Sequence, residues 1–190
     1  YRQFNQINFE NFGSDDFFAD IEIISLANTL LKKLIPNSNF TLHINTLGAR
    51  DNLSAYKKIL SKFFNDNQKS LSEESLDKIY TNPLRILDSK KPEDSVIIKK
   101  SPKLIDLISK TDLNNYEEIK KSLTDLGITI FEDLNLVRGL DYYCHTVFEF
   151  KSNELGSQDT LIGGGRYNGL IKIHKLKNIT EWLKFIFSII

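Results

Sequence analysis

The feature that most constrains this chain is an apolar stripe near its start, where Phe17, Ile21, Ile24, Ala27, Leu31 and Leu34 recur at the spacing of one helix face. Ser14 reads as the N-cap, and Asp15 and Asp16 suit the positive end of the helix dipole. Lys32 and Lys33 fall in the last turn, and Pro36 stops the helix. On either side the period drops to two. Residues 1–12 alternate loosely between aromatic and polar side chains, and Phe40, Leu42 and Ile44 alternate after an Asn-rich turn. The opening unit is therefore strand, helix, strand.

From residue 51 to 125 the character changes. Leu53, Tyr56, Leu60 and Phe63 mark one helix, and segments from Ser72, Ser101 and Leu113 read as further short ones, with Ser101-Pro102 as an N-cap and first-position proline. Acidic and basic residues nearly balance there, so the segment reads as a helical insertion and not as a basic arm. Residues 128–131, 134–137 and 146–150 are rich in β-branched and aromatic side chains and return the chain to sheet. The run Gly163-Gly164-Gly165 punctuates the end of that block. The fold class expected is α+β.

At 190 residues there is room for one domain, or a domain carrying an insertion, and a large multidomain enzyme is excluded. With 25 basic and 25 acidic residues the chain has no net field to draw it onto nucleic acid or an anionic membrane, so any polyanion must be met by a local patch. A hydrophobic fraction of 41% is that of a globular core. The single cysteine, Cys144, cannot form an internal disulfide, and no Cys or His pair has zinc-site spacing; no metal ligand is assigned, and a reducing, cytoplasmic setting is expected. No basic and apolar leader opens the chain, and the longest apolar stretch, residues 182–190, is too short to span a membrane.

Arg138 stands in an apolar context, and an unpaired guanidinium there is costly to bury. One reading is an internal salt bridge with Asp141 or Glu149. The other is an anion clamp, since arginine offers a fixed fork of donors to a carboxylate or phosphate. Tyr142 and Tyr143, if extended, point to opposite faces, one lining a pocket and one packing in the core. The glycine run reads as a tight turn before a helix, although missing side chains also let a ligand or another segment come close. On the first strand Phe4, Gln6, Asn8 and Glu10 share a face whose mixture of aromatic and polar groups suits a small-molecule pocket wall as well as a half-exposed strand.

Together these segments resemble the histidyl-tRNA synthetases, which are class II aminoacyl-tRNA synthetases. Residues 1–10 resemble the second half of class II motif 2. Arg138-Gly139-Leu140-Asp141-Tyr142-Tyr143 with Thr146-Val147-Phe148-Glu149 resembles the first histidine-family signature, and residues 164–169 resemble the second. Residues 80–90 look like part of the bacterial-type insertion. The likeness runs from residue 1 to about 171. It divides the chain into a first part of the catalytic core, residues 1–50, a helical insertion domain, 51–125, a second part of the core, 126–171, and a divergent tail, 172–190, with no match to motif 3.

What the resemblance implies is an antiparallel sheet with flanking helices, carrying a pocket that activates L-histidine with ATP and passes it to histidine tRNA. ATP would arrive with Mg2+. Arg138 would be the catalytic residue, contacting the histidine carboxylate and the α-phosphate of ATP. Phe4 would stack on adenine, Gln6 would help to hold the amino acid, and Glu10 with Tyr143 would read the imidazole. Tyr142 and Tyr167 would complete the pocket wall. The family is homodimeric through motif 1, but no segment of these residues matches motif 1, so the expected core is incomplete and the isolated chain is expected to charge tRNA weakly if at all. The rivals are a non-catalytic histidine-binding relative, of the ATP phosphoribosyltransferase regulatory-subunit type, and a decayed gene product. His43, His145 and His174 are assigned no role.

Overall fold

The stripe folds as helix α1 (Phe18–Leu34), in a computed structural model that describes residues 6–138, 142–155, 159–168 and 182–188. Ile21, Ile24, Ala27 and Leu31 are buried, and the Ile35 N–H donates to the Leu31 carbonyl just before Pro36 ends the helix. Ser14 is not the N-cap. Its hydroxyl accepts from the Asp16 N–H at 3.2 Å, and the Asp16 carboxylate accepts from the Phe18 N–H at 3.0 Å. These local side-chain turns compete with the helix and delay its start to Phe18.

Strands β1 (Gln6–Phe12), β2 (Thr41–Thr46), β3 (Ile130–Glu132), β4 (Cys144–Lys151), β5 (Thr160–Arg166) and β6 (Trp182–Ser188) form one sheet in the order β1-β6-β5-β4-β2-β3. Every neighbouring pair is antiparallel except β2 with β3. The helices after β2 are α2 (Arg50–Asp66), α3 (Glu73–Leu76), α4 (Leu84–Leu87), α5 (Pro92–Lys100) and α6 (Lys110–Asp125).

Alternation along β4 splits the core in two. Phe148 and Phe150 join Leu42 and Ile44 of β2 against Ile24 and Leu31 of α1 and Tyr116, Ile119 and Leu123 of α6. Val147 faces the other way, into a second cluster with Tyr143, Leu136 and Tyr56, Leu60 and Phe64 of α2. Each large apolar side chain buried here contributes about 1.5–3 kcal/mol. The two faces thus carry different helices, α1 and α6 on one, α2 to α5 on the other.

Three local readings of the sequence are corrected. Ser101 closes α5, donating its hydroxyl to the Ile98 carbonyl at 2.7 Å, while Pro92 takes the first-turn position. Residues 134–137 form a turn and not a strand, with the Leu136 N–H bonded to the Asp133 carbonyl at 2.8 Å. The three glycines lie inside β5, not in a turn.

The short helices of the 51–125 segment are tied together by Asp94, which is fully buried. Its carboxylate accepts from the Ser72 N–H at 2.7 Å and from the hydroxyls of Ser72, Ser75 and Ser89 at 2.8, 2.7 and 2.5 Å. Burial pushes this carboxyl up, but the Ser72 N–H and the three hydroxyls more than offset it and hold the group below its usual range. A depressed folded pKa gives stability that is present above the unfolded value and is lost as pH falls through the folded one. Asp94→Asn is expected to cost about 2 kcal/mol, because the amide has one acceptor where four donors converge. Urea unfolding at neutral pH checks this, and an unchanged midpoint would count against it.

Candidate active site

The loop leading to Arg138 is pinned to the sheet before it reaches the site. The Asp133 N–H donates to the Ile44 carbonyl at 3.0 Å, and the Asn45 side chain donates to the Leu136 carbonyl at 3.0 Å. Leu136 is buried in the second cluster. Arg138 is thereby delivered over the face of β4 and β5.

The glycines explain what lies there. A Cβ built on Gly163 would come within 2.6 Å of Arg138 Nη1 and 2.8 Å of its Cζ and Nη2. One on Gly165 would meet the Thr146 carbonyl oxygen at 2.7 Å and Tyr143 Cδ1 at 2.9 Å. Residues 163 and 165 share one face of the strand, so the run is a bare strip of sheet on which a guanidinium and a phenol ring lie side by side. The close approach of another segment, one of the two readings of the run, is what the glycines serve.

Arg138 Nη1 pairs with Glu149 Oε1. The other Glu149 oxygen accepts from the Thr160 hydroxyl at 3.1 Å and lies 3.2 Å from Lys151 Nζ. Of the two counter-charges expected, Glu149 is the one found, while Asp141 falls outside the described residues. Arg138 Nε is buried and makes no hydrogen bond among the described residues. The salt bridge and the clamp are therefore compatible, because one edge of the guanidinium is tied and a donor is left over.

Tyr142 and Tyr143 do not point apart. Their ring centroids are 4.7 Å apart, and Tyr142 meets Tyr167 edge-on at 5.6 Å. Strand alternation does not govern them, since β4 begins only at Cys144. Burial, and then the neighbouring Tyr142, push the Tyr143 phenol above its ordinary range, with Arg138 pulling the other way. The Tyr167 phenol is likewise raised, first by burial and then by the charge of Glu10, which brings Glu10 of β1 into the same neighbourhood. Gln6 and Asn8 share its face, joined by a 3.1 Å bond, and all three are exposed. Phe4 falls outside the described residues.

Sequence reasoning singled out Glu149 only as a possible counter-charge and did not find Thr160 or Lys151. Glu149 lies directly opposite Gly163 in the β4–β5 register, a relation visible only once the strands pair. On the other face of the sheet, Arg166 and Asp20 form a second arrangement that the sequence did not suggest, with Nη2 to Oδ2 at 2.8 Å and both side chains buried. His145 sits at the register shift of β4 with φ +50° and turns toward Asp112, Nδ1 to Oδ1 at 3.5 Å. Among the described residues no group of three or more His, Cys, Asp or Glu side chains could hold a metal ion, and no helix is long and apolar enough to cross a membrane.

The family model for histidyl-tRNA synthetase matches residues 1–178. The histidine-tRNA ligase of Ehrlichia ruminantium strain Gardel is 48% identical over 171 residues, covering 90% of this chain and 41% of its own length. The crystal structure of apo Staphylococcus aureus histidyl-tRNA synthetase superposes with a TM-score of 0.73 at 31% identity, over 100% of this chain and 46% of that one. A Bacillus halodurans structure titled ATP phosphoribosyltransferase regulatory subunit/histidyl-tRNA synthetase shares the fold, at a TM-score of 0.61 and 24% identity over 98% of this chain and 51% of that one. The chain thus spans about two-fifths of the length of the curated relatives it matches.

Proposed function

Since this chain belongs to the histidyl-tRNA synthetase family, we propose that the site at Arg138 recognises L-histidine for ATP-dependent activation. In the whole protein the histidine carboxylate attacks the α-phosphorus of ATP, pyrophosphate leaves, and histidyl-adenylate forms. The terminal hydroxyl of histidine tRNA then takes the histidyl group and AMP leaves. Such chemistry depends on positioning and charge stabilisation, with no covalent nucleophile from the protein.

The observation that carries this reading is the tethered Arg138, whose buried Nε has no hydrogen bond among the described residues, beside three gathered tyrosines. Arg138 holds the carboxylate and the α-phosphate. Glu10 and Tyr143 read the imidazole, Gln6 helps to hold the amino acid, and Tyr142 and Tyr167 form the wall. Phe4 is assigned to adenine. A site that hydrogen-bonds both ring nitrogens rejects isosteres lacking them. Mg2+ is taken as part of the nucleotide substrate, and no step is assigned to it. Residues 1–50 and 126–171 are read as the core, 51–125 as its insertion and 172–190 as a divergent tail. A cytoplasmic setting accompanies the family reading, and homodimerisation belongs to the parent family through motif 1, which no segment of these residues matches.

Isothermal titration with L-histidine, with L-alanine as control, tests the proposal without requiring turnover. Histidine-selective binding is expected, and Arg138→Ala is expected to weaken it by about a hundredfold, the scale of a lost charge-assisted contact. A folded chain that binds neither amino acid would overturn the proposal. The regulatory-subunit rival also predicts histidine binding, but it predicts no histidine-dependent exchange of pyrophosphate into ATP by the whole protein.

A further inference from the structure

We infer that Glu149 is a positioning residue for the Arg138 clamp, fixing one edge of the guanidinium so that Nε, which has no partner among the described residues, is presented to a ligand carboxylate. The inference rests on the histidine reading above and adds to it the residue that orients its main contact.

The geometry comes from the pleat of the sheet. Glu149 and Gly163 are direct cross-strand partners, and the Arg138 guanidinium lies on Gly163. The carboxylate therefore flanks the guanidinium. Glu149 is itself immobilised, because Oε2 is engaged by Thr160 and Lys151 while Oε1 meets Arg138 Nη1. A carboxylate anchored at both oxygens cannot follow a wandering arginine, so the arginine is held. Preorganisation of this kind strengthens binding by removing freedom before the ligand arrives.

The insertion also packs on this face of the sheet, where Leu84, Ile86 and Leu87 of α4 share a cluster with Tyr143 and Val147. Burial, and then the charge of Glu149, hold the Asp88 carboxyl above its ordinary range, with Lys151 opposing. Asp88 follows the last residue of α4, so the end of that helix lies against the same cluster. Arg138 Nε, buried and without a hydrogen bond among the described residues, is the donor that an arriving carboxylate would satisfy.

The test separates carboxylate recognition from simple structural support. Wild type, Glu149→Ala and Glu149→Gln are titrated with L-histidine and with L-histidinol, in which a hydroxymethyl group replaces the carboxylate. Glu149→Ala is expected to weaken histidine by about tenfold or more and leave histidinol within about twofold. Glu149→Gln, which keeps an acceptor at the same reach, recovers part of the histidine affinity. In an Arg138→Ala background, Glu149→Ala adds no further loss, as a residue acting through Arg138 requires.

Equal weakening of histidine and histidinol would make Glu149 a structural support and overturn the inference. Histidine binding that survives Glu149→Ala unchanged overturns the inference alone, whereas wild type that binds neither ligand overturns the histidine reading together with it. Thermal unfolding by circular dichroism accompanies each variant. If Glu149→Ala does not fold, Glu149→Gln decides: a loss of about threefold for histidine alone supports the inference, and no loss or an equal loss for both ligands rejects it.

Discussion

Replacing Arg166 with alanine is expected to destabilise the chain by about 3–5 kcal/mol, the range for breaking a buried ion pair from one side. Arg166 is 3% exposed and Asp20 is 1% exposed. The guanidinium gives Nε at 3.2 Å and Nη2 at 2.8 Å to Asp20 Oδ2, and it also donates to the carbonyls of Ser14, Asp15 and Asp16. It therefore ties the end of β5 to the turn that starts α1, and its loss leaves both a carboxylate and three carbonyls without their donor.

The penalty should depend on pH. Burial pushes the Asp20 carboxyl up to about 6, against the pull of Arg166. A raised folded pKa means that the contribution of Asp20 to stability is fully present below the unfolded carboxylate range and is lost as pH rises through about 6. Without Arg166 the folded pKa climbs further, so the loss continues to higher pH in the variant. Urea unfolding of both proteins at about pH 5 and about pH 8 is expected to show the larger gap at the higher pH. A gap below about 1 kcal/mol at both would show that the pair contributes little beyond its own desolvation cost.

Gly163→Ala and Gly165→Ala, the same change two residues apart on one strand face, are expected to fail in different ways. At Gly165 the new methyl meets the backbone oxygen of Thr146 and the packed side chains of Tyr143 and Val147. Nothing there yields cheaply, so the cost falls on folding, at about 1–3 kcal/mol. At Gly163 the three nearest atoms all belong to the Arg138 guanidinium. A long side chain can lift away, so stability is expected to change by less than about 1 kcal/mol while histidine affinity drops by about tenfold or more. Paired unfolding and titration of the two variants distinguish the cases. A Gly163→Ala protein that binds histidine as wild type does would show that the seat of Arg138 on β5 is dispensable.

The sequence carried the periodic elements and lost the ones set by distant partners. Helix α1 was legible because its apolar face repeats without interruption, and β2 and β4 because both alternate or run β-branched and aromatic. The start of α1 was misread at Ser14, a good capping residue in isolation, because the turn there is held by Arg166, about 150 residues further on. Residues 134–137 looked like strand by composition, but Asn45 and Asp133 hold them as a turn. The glycine run looked like punctuation because nothing local marks the arginine and tyrosine that lie on it.

At the site, the same limit applies. Arg138, Tyr142 and Tyr143 stood out by their own context and Tyr167 through the family resemblance, and the structure brings all four together with the charge of Glu10 close by. Gln6 lies on the exposed face that carries Glu10. Thr160 carries no signal of its own, since a threonine opening a strand is unremarkable until its hydroxyl is seen on Glu149.

The sheet order has a consequence for how such a chain emerges from a ribosome. Of the four inner strands among the described residues, three, β4, β5 and β6, come from the last third of the sequence, while β1 and β2 come from its first quarter. When β2 leaves the exit tunnel, its antiparallel partner β4 is still about a hundred residues from emerging. At about 5–20 residues per second that interval is roughly 5–20 s. Over it the apolar faces of α1 and β2 lack the β4 and α6 side chains that cover them in the folded protein, which suits this segment to transient shelter by a holding chaperone until those elements arrive.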